Sequence, residues 1–338
     1  MKHTLPASYA DRNAGPERSH WRRYQPHFPP AWRIGDDDPI DEEHVAWRSL
    51  SVHVDHHRAN GTPRATVILV HGAGGYGRLF APLGRFMASL GCEVLAPDLP
   101  GYGLTAAPSS LADYDTWTAL LLHLVEREHA RSARPILLFG MSMGGWLAYL
   151  CAARSPQVAG LVATTLADPR EPRVRRELAR NRLLLHAGLP LLQALPGPLT
   201  RLRLPIRWFT RMERMSRQPE LNALVRNDRL GGGNHVPMRL LRSLFSATPA
   251  IEPERFDRCP VLLAHPALDS WTSVDASRLA FDRLRCDKRL VLLDGCGHFP
   301  VEQPGVTQLQ HALAGFVADI VARQMADPMR SEDASHPA

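Results

Sequence analysis

Gly140-Met141-Ser142-Met143-Gly144 stands between an apolar run and a helix-like stretch, so its serine sits where a strand turns into a helix. Small neighbours let the backbone bend sharply there, and the turn displays the seryl Oγ at a helix N-terminus. A hydroxyl is a poor nucleophile until a base takes its proton during attack. His298 is placed for that task, because Asp294-Gly295-Cys296-Gly297-His298-Phe299-Pro300 follows the last apolar run and lies C-terminal to the serine. An acid must then orient the imidazole from a strand-end loop between the two. Asp269, in His265-Pro266-Ala267-Leu268-Asp269, is the first choice, and Asp168, in Leu166-Ala167-Asp168-Pro169, is the runner-up. Asp275 reads instead as a first-turn residue of the helix that follows, favoured there by the helix dipole.

Charge developing on a substrate carbonyl oxygen needs preorganised donors, and two backbone N–H groups suffice. Met143, just after the serine, supplies one. The loop His71-Gly72-Ala73-Gly74-Gly75 supplies the other, with Ala73 the first choice and Gly74 the next. The chemistry predicted is acyl transfer through an acyl-enzyme, with neither metal nor organic cofactor.

These groups need a scaffold whose strand ends converge. Ala65–Val70, Glu93–Ala96, Pro135–Phe139, Gly160–Thr164, Val261–Ala264 and Arg289–Leu293 are short, mostly apolar runs that suit strands buried on both faces. Helical patterns over Arg78–Leu90, Tyr114–His129, Met143–Arg154 and Val274–Leu284 separate several of them, and Val306–Gln324 follows the last. That order predicts an α/β fold with a mostly parallel, doubly wound sheet. Trp47–Asp55 alternates apolar and polar positions as an antiparallel edge strand does.

The predicted organisation is a flexible tail over 1–40, a catalytic domain over 41–165 and 258–325, a helical cap inserted over 166–257, and a flexible tail over 326–338. The cap follows from length, because about ninety residues between two consecutive strands exceed a simple crossover. Open α/β sheets bind ligands at the strand ends it would cover. Within it, helical stretches at Arg173–Leu185 and Met238–Phe245 alternate with prolines 190, 196, 198 and 205, and Gly231–Gly233 reads as a loop rather than a hinge.

Composition narrows the function classes. The chain has 338 residues, 44% of them hydrophobic, which excludes a disordered or fibrous protein. A net charge of +6 points towards anionic partners, yet all but two of the 40 basic residues are arginine, a bias spread along the chain. With no zinc-finger spacing and no aromatic RNA-binding motif, nucleic acid is not an expected partner. Five cysteines, at 92, 151, 259, 286 and 296, form no paired or metal-like spacing and read as reduced thiols. The N-terminus lacks an apolar signal-like core, so a cytoplasmic location is expected.

Taken together, His71–Gly74, Ala96-Pro97-Asp98-Leu99-Pro100-Gly101-Tyr102-Gly103, Gly140–Gly144 and Gly297–Pro304 resemble the α/β-hydrolase superfamily. The resemblance implies a Ser142, Asp269 and His298 triad, oxyanion donors at Ala73 and Met143, and a structural role for the turn at Asp98–Gly103. Within the superfamily the chain looks most like the esterase and monoacylglycerol lipase or lysophospholipase-like branch, with a small acyl ester as substrate. Relatives that open epoxides or cleave haloalkanes carry aspartate at the elbow, so Ser142 argues against those activities. Pro266 and Ala267 depart from the glycine-containing loop that many relatives carry before the acid.

In the cap, Leu183–Leu185, Leu189, Leu191, Leu192, Leu195 and Leu199 form an apolar series, followed by Arg201, Arg203, Arg207, Arg211 and Arg214. Helices packed on the core with a solvated charged face account for this, and a lid that contacts a lipid interface is the sharper alternative. His53, Asp55, His56 and His57 match no metallohydrolase spacing and read as an exposed hairpin. Cys296 reads as a small core filler.

Overall fold

The computed structural model describes residues 8–9, 18–35, 37–38, 40–180 and 183–326. Strands β1 (Asp41–Trp47) and β2 (Leu50–His57) form a hairpin, followed by β3 (Ala65–Val70), helix α1 (Ala81–Ser89), β4 (Cys92–Pro97), α2 (Tyr114–Arg131), β5 (Ile136–Gly140), α3 (Met143–Ala152) and β6 (Val158–Ala163). After β6 come α4 (Pro172–Leu178), α5 (Leu189–Ala194), β7 (Arg203–Pro205), α6 (Pro219–Asn227), β8 (His235–Pro237) and α7 (Met238–Ser246). The chain then returns to the main sheet with β9 (Val261–Pro266), α8 (Val274–Phe281), β10 (Lys288–Leu293) and α9 (Gly305–Ala326).

Eight strands form one sheet in the order β1-β2-β4-β3-β5-β6-β9-β10. β1 and β2 pair antiparallel, β2 meets β4 antiparallel, and every other neighbour is parallel. The apolar runs behave as expected of strands covered by helices on both faces: β3, β5 and β9 are buried throughout. This is the α/β-hydrolase fold. The expected strand at Trp47–Asp55 is in fact two strands, because Arg48, at φ 51°, reverses the chain after Trp47.

The segment between β6 and β9 carries four of the helices and also a small antiparallel pair, β7 with β8, that the periodicity did not reveal. The helix expected over Arg173–Leu185 ends at Leu178. No helix among the described residues is long and apolar enough to cross a membrane.

Two expectations need correction. Residues 18–35, read from composition as part of a flexible tail, run over the domain as short 3-10 helical turns and bury Trp21, Tyr24, Phe28, Trp32 and Ile34. Their aromatic content outweighs their Pro and Arg content: Trp32 stacks on Phe86 at 6.0 Å, and the burial of four large rings offsets the entropy of ordering the strap. The C-terminal tail lies, from 327 on, outside the described residues.

The second correction concerns His53, Asp55, His56 and His57, which are buried rather than exposed. Asp55 accepts two hydrogen bonds from the Arg78 guanidinium, at 2.6 and 2.8 Å, and Arg78 also reaches Glu42 at 2.5 Å. His53 lies between Glu42, at 3.5 Å, and Asp98, at 3.1 Å. Glu42, His53 and Asp55 are close enough to hold a metal ion, but the Arg78 guanidinium already supplies the cation these carboxylates need. Asp98 also takes hydrogen bonds from the Gly77 and Leu104 N–H groups and from the Tyr9 hydroxyl, so the 98–103 turn is tied into the core.

Candidate active site

The turn between β5 and α3 holds Ser142 at φ 56° and ψ −127°, a conformation that L-residues rarely adopt. Gly144 explains how such a turn fits: a Cβ there would lie 2.2 Å from the Val70 carbonyl oxygen. The Ser142 N–H donates to Thr164 Oγ1 at 3.2 Å, which ties the elbow to the end of the neighbouring strand.

His298 stands on the loop after β10 and is buried, with its Nε2 2.6 Å from Ser142 Oγ and its Nδ1 2.7 Å from Asp269 Oδ2. The other Asp269 oxygen accepts the Trp271 and Thr272 N–H groups at 2.8 and 2.9 Å. Burial alone would raise the Asp269 carboxyl; the facing His298 ring and these hydrogen bonds outweigh it and hold the group below the ordinary carboxylate range. An ionised Asp269 fixes the imidazole with Nδ1 protonated and leaves Nε2 free to accept the seryl proton.

Asp168 does not approach this group. Its carboxylate is bound by Arg170 at 2.7 Å, and Arg170 in turn pairs with Glu252 at 2.7 Å. Asp275 likewise pairs elsewhere, with Arg173 at 2.8 Å. The alternative acids therefore serve as ion-pair partners of the inserted segment.

Ala73 and Met143 flank Ser142 at the floor of one cavity, and neither N–H has a backbone or side-chain acceptor among the described residues. His71 shapes the Ala73 loop: its Nε2 accepts the Leu99 N–H at 3.0 Å, so its Nδ1 carries hydrogen and donates to the Gly72 carbonyl at 2.9 Å. Burial lowers the His71 pKa and keeps the ring in this neutral state.

Three contributors escaped sequence reasoning because only proximity reveals them. Trp271 lays its ring against His298, with centroids 4.8 Å apart. Thr164 caps the elbow, as described. Glu302 bridges the His298 loop to the inserted segment, accepting from Gly297 N–H at 3.2 Å and from the Ser216 hydroxyl at 3.1 Å. The Gly297-His298-x4-Gln303-Pro304 run contains Glu302, yet no local pattern assigns it this partner.

Above Ser142 the cavity measures about 300 Å³. Leu189, Leu192, Leu195, Leu241, Leu244 and Phe245 of the inserted segment form much of its wall, with Trp146 and Trp271 below. Apart from Ser142, its polar side chains are those of Tyr114, three threonines and the indole N–H groups, and no charged residue lines it among the described residues. Cys296, near the histidine, is buried and its thiol is pushed up to about 12 by desolvation, which suits a core filler. All five cysteines are free thiols.

Known proteins resemble the chain in sequence and in fold. The family model described as Serine aminopeptidase, S33 matches residues 61–303. Human monoglyceride lipase is 30% identical over 148 residues, 42% of this chain and 48% of that protein. The chain thus spans about half the length of the human and rat monoglyceride lipases it matches. A pimeloyl-[acyl-carrier protein] methyl ester esterase of Xanthomonas oryzae pv. oryzae is 29% identical over 273 residues, 75% of this chain and 95% of that protein. A soluble variant of Saccharomyces cerevisiae monoglyceride lipase, solved with a substrate analog, superposes with a TM-score of 0.70 at 16% identity, covering 85% of this chain and 98% of that one. With the family model covering well over half of its length, the chain belongs to the Serine aminopeptidase, S33 family of hydrolases.

Proposed function

We propose that this chain hydrolyses carboxylic esters through an acyl-enzyme on Ser142. The observation that carries the reading is His298 poised between Ser142 Oγ and Asp269, within hydrogen-bond reach of both. In the mechanism, His298 Nε2 takes the seryl proton as Oγ attacks the acyl carbonyl, and Asp269 stabilises the imidazolium that forms. Ala73 and Met143 N–H groups hold the oxyanion of the tetrahedral intermediate. The imidazolium then protonates the departing alkoxide, and a water activated by the same histidine releases the acid.

The uncharged cavity supports an apolar acyl group. An aminopeptidase substrate would bring an α-ammonium group, and no lining carboxylate offers it a partner among the described residues. Monoglyceride lipases and a methyl ester esterase among the relatives agree with an ester substrate. Amidase, lactonase or acyl-transfer activity would use the same triad and differ in the leaving group or acceptor.

A second element of the reading is peripheral contact with a lipid interface. Leu183, Leu191, Leu199, Leu202 and Trp208 project from the inserted segment with exposures of 47% or more, and Arg201, Arg203 and Arg207 lie among them.

A fluorophosphonate probe tests the central reading. Wild type should be labelled at Ser142 and should hydrolyse p-nitrophenyl esters, while Ser142→Ala should do neither. Unlabelled wild type, or hydrolysis retained by Ser142→Ala, would overturn it.

A further inference from the structure

The aromatic strap over 18–35 precedes the residues that the family model matches, yet it reaches the groups around Ser142 from outside the family core. Its Tyr24 hydroxyl donates to Asp228 Oδ2 at 3.1 Å, and Tyr76 donates to the same oxygen at 3.0 Å. Tyr76 directly follows the His71–Gly75 loop that carries Ala73. Asp228 is buried, and its other oxygen accepts the Leu230 N–H at 3.0 Å while its carbonyl accepts the Gly231 and Gly233 N–H groups.

The turn so formed lies directly on the oxyanion loop. A Cβ on Gly231 would stand 2.4 Å from the Gly74 carbonyl oxygen, so the two backbones touch with no side chain between them. Asp228 therefore grips the loop from two directions, through Tyr76 at its end and through the 228–233 turn on its back. Tyr9 adds a third restraint by stacking on Tyr76 with centroids 5.4 Å apart. Elsewhere the strap meets the base side of the site: Phe28 packs edge-on against Phe299, and His27 bonds Gln218 at 2.7 Å.

We propose that Tyr24 is a positioning residue for the oxyanion hole, acting through Asp228 and Tyr76 to hold the Ala73 N–H where the tetrahedral oxyanion forms. This rests on the reading of Ser142 as nucleophile. Preorganised donors stabilise a transition state because they need no reorganisation as charge develops, so a loosened loop costs turnover more than substrate binding. Losing the Tyr24 hydroxyl leaves Asp228 buried with one fewer donor, which frees the Tyr76 anchor to shift.

The test uses the full chain with Tyr24→Phe, Asp228→Asn and wild type, titrated with a fluorophosphonate to count competent sites. The expected result is a kcat per labelled site lower by about tenfold in Tyr24→Phe, a modest share of the 10²–10³-fold reported for loss of an oxyanion donor. KM for p-nitrophenyl hexanoate should stay within about twofold, and affinity for an alkyl boronic acid, which forms a tetrahedral adduct on the serine, should fall in parallel with kcat. Asp228→Asn, which keeps one acceptor oxygen, should lie between the two. If activity falls only because fewer sites are labelled, with kcat per site and boronate affinity unchanged, the strap is merely structural and the proposal is overturned. Failure of wild type to be labelled at all would instead sink the reading of Ser142, so the two failures are distinguishable.

Discussion

Glu302 accepts a hydrogen bond from Gly297, the residue before His298, while its other carboxylate oxygen accepts the Ser216 hydroxyl and the Arg217 N–H, each at 3.1 Å. The loop that carries the proposed base is thereby fastened to the inserted segment. The Phe299 N–H donates to Met215 at 2.5 Å and reinforces the seam. Glu302→Ala leaves several donors unsatisfied, at about 1–3 kcal/mol for each one that stays buried. Thermal unfolding should shift downwards and kcat should fall with KM little changed, whereas Glu302→Gln should retain most activity. Equal kcat in Glu302→Ala and wild type would show that the seam does not position His298.

Asp269 and Asp168 make opposite predictions. Asp269→Asn keeps the shape but allows the wrong imidazole tautomer, and kcat should drop by about 10⁴-fold. Asp168→Asn loses its ion pair with Arg170 and should melt earlier while turning over at close to the wild-type rate. Reversal of these two results in steady-state assays would reassign the acid.

The hairpin cluster makes stability depend on pH. Burial opposes charge on His53, but Asp98, Glu42 and Asp55 outweigh it and push its pKa up to about 10 from 6.5. A pKa raised in the folded state means that the stabilisation is full below about 6.5 and is lost as pH rises through 10. Glu42 runs the other way, lowered to about 2 from 4.5 despite burial by His53, Ser8 and Arg78, so its share is present above 4.5 and lost as pH falls through 2. Melting temperatures measured from pH 6.5 to 10 should decline in wild type, with a shallower slope in His53→Gln. Parallel slopes would show that His53 does not titrate as assigned.

The cavity sets a chain-length preference. A buried methylene contributes about 0.8 kcal/mol, so kcat/KM should climb roughly fourfold per carbon until the cavity is full. A volume of about 300 Å³ holds about ten groups the size of a water molecule at ~30 Å³ each. Across p-nitrophenyl esters from acetate to palmitate, the optimum is expected at medium chain length, and Leu241→Trp should move it to shorter acids. An optimum at acetate in wild type would contradict an acyl role for this cavity.

Surface contact is separable from chemistry. Replacing Leu202 and Trp208 with serine should lower activity on esters presented in anionic vesicles and leave hydrolysis of a soluble short-chain ester unchanged. Matched losses on both substrates would point to a folding defect rather than an interface.

The sequence by itself determined the parallel sheet and the position of Ser142 and His298 within it. Apolar runs of strand length and a glycine-bounded serine are local patterns, and local backbone sterics enforce them whatever surrounds them. The sequence put Asp269 ahead of Asp168 without excluding the latter, because both follow a strand end; the fold brings His298 to Asp269, whereas Asp168 is held by Arg170, two residues along the chain, which Glu252 also binds. The same holds for His53 and Asp55: polar residues on an edge hairpin read as exposed until Arg78, from a loop beyond the next strand, arrives to pair them. Strap residues 18–35 looked unstructured for want of periodicity, yet their rings find cavities supplied by distant elements. Burial of charge and ring is a property of partners far apart in the chain, and tertiary structure alone decides which partners meet.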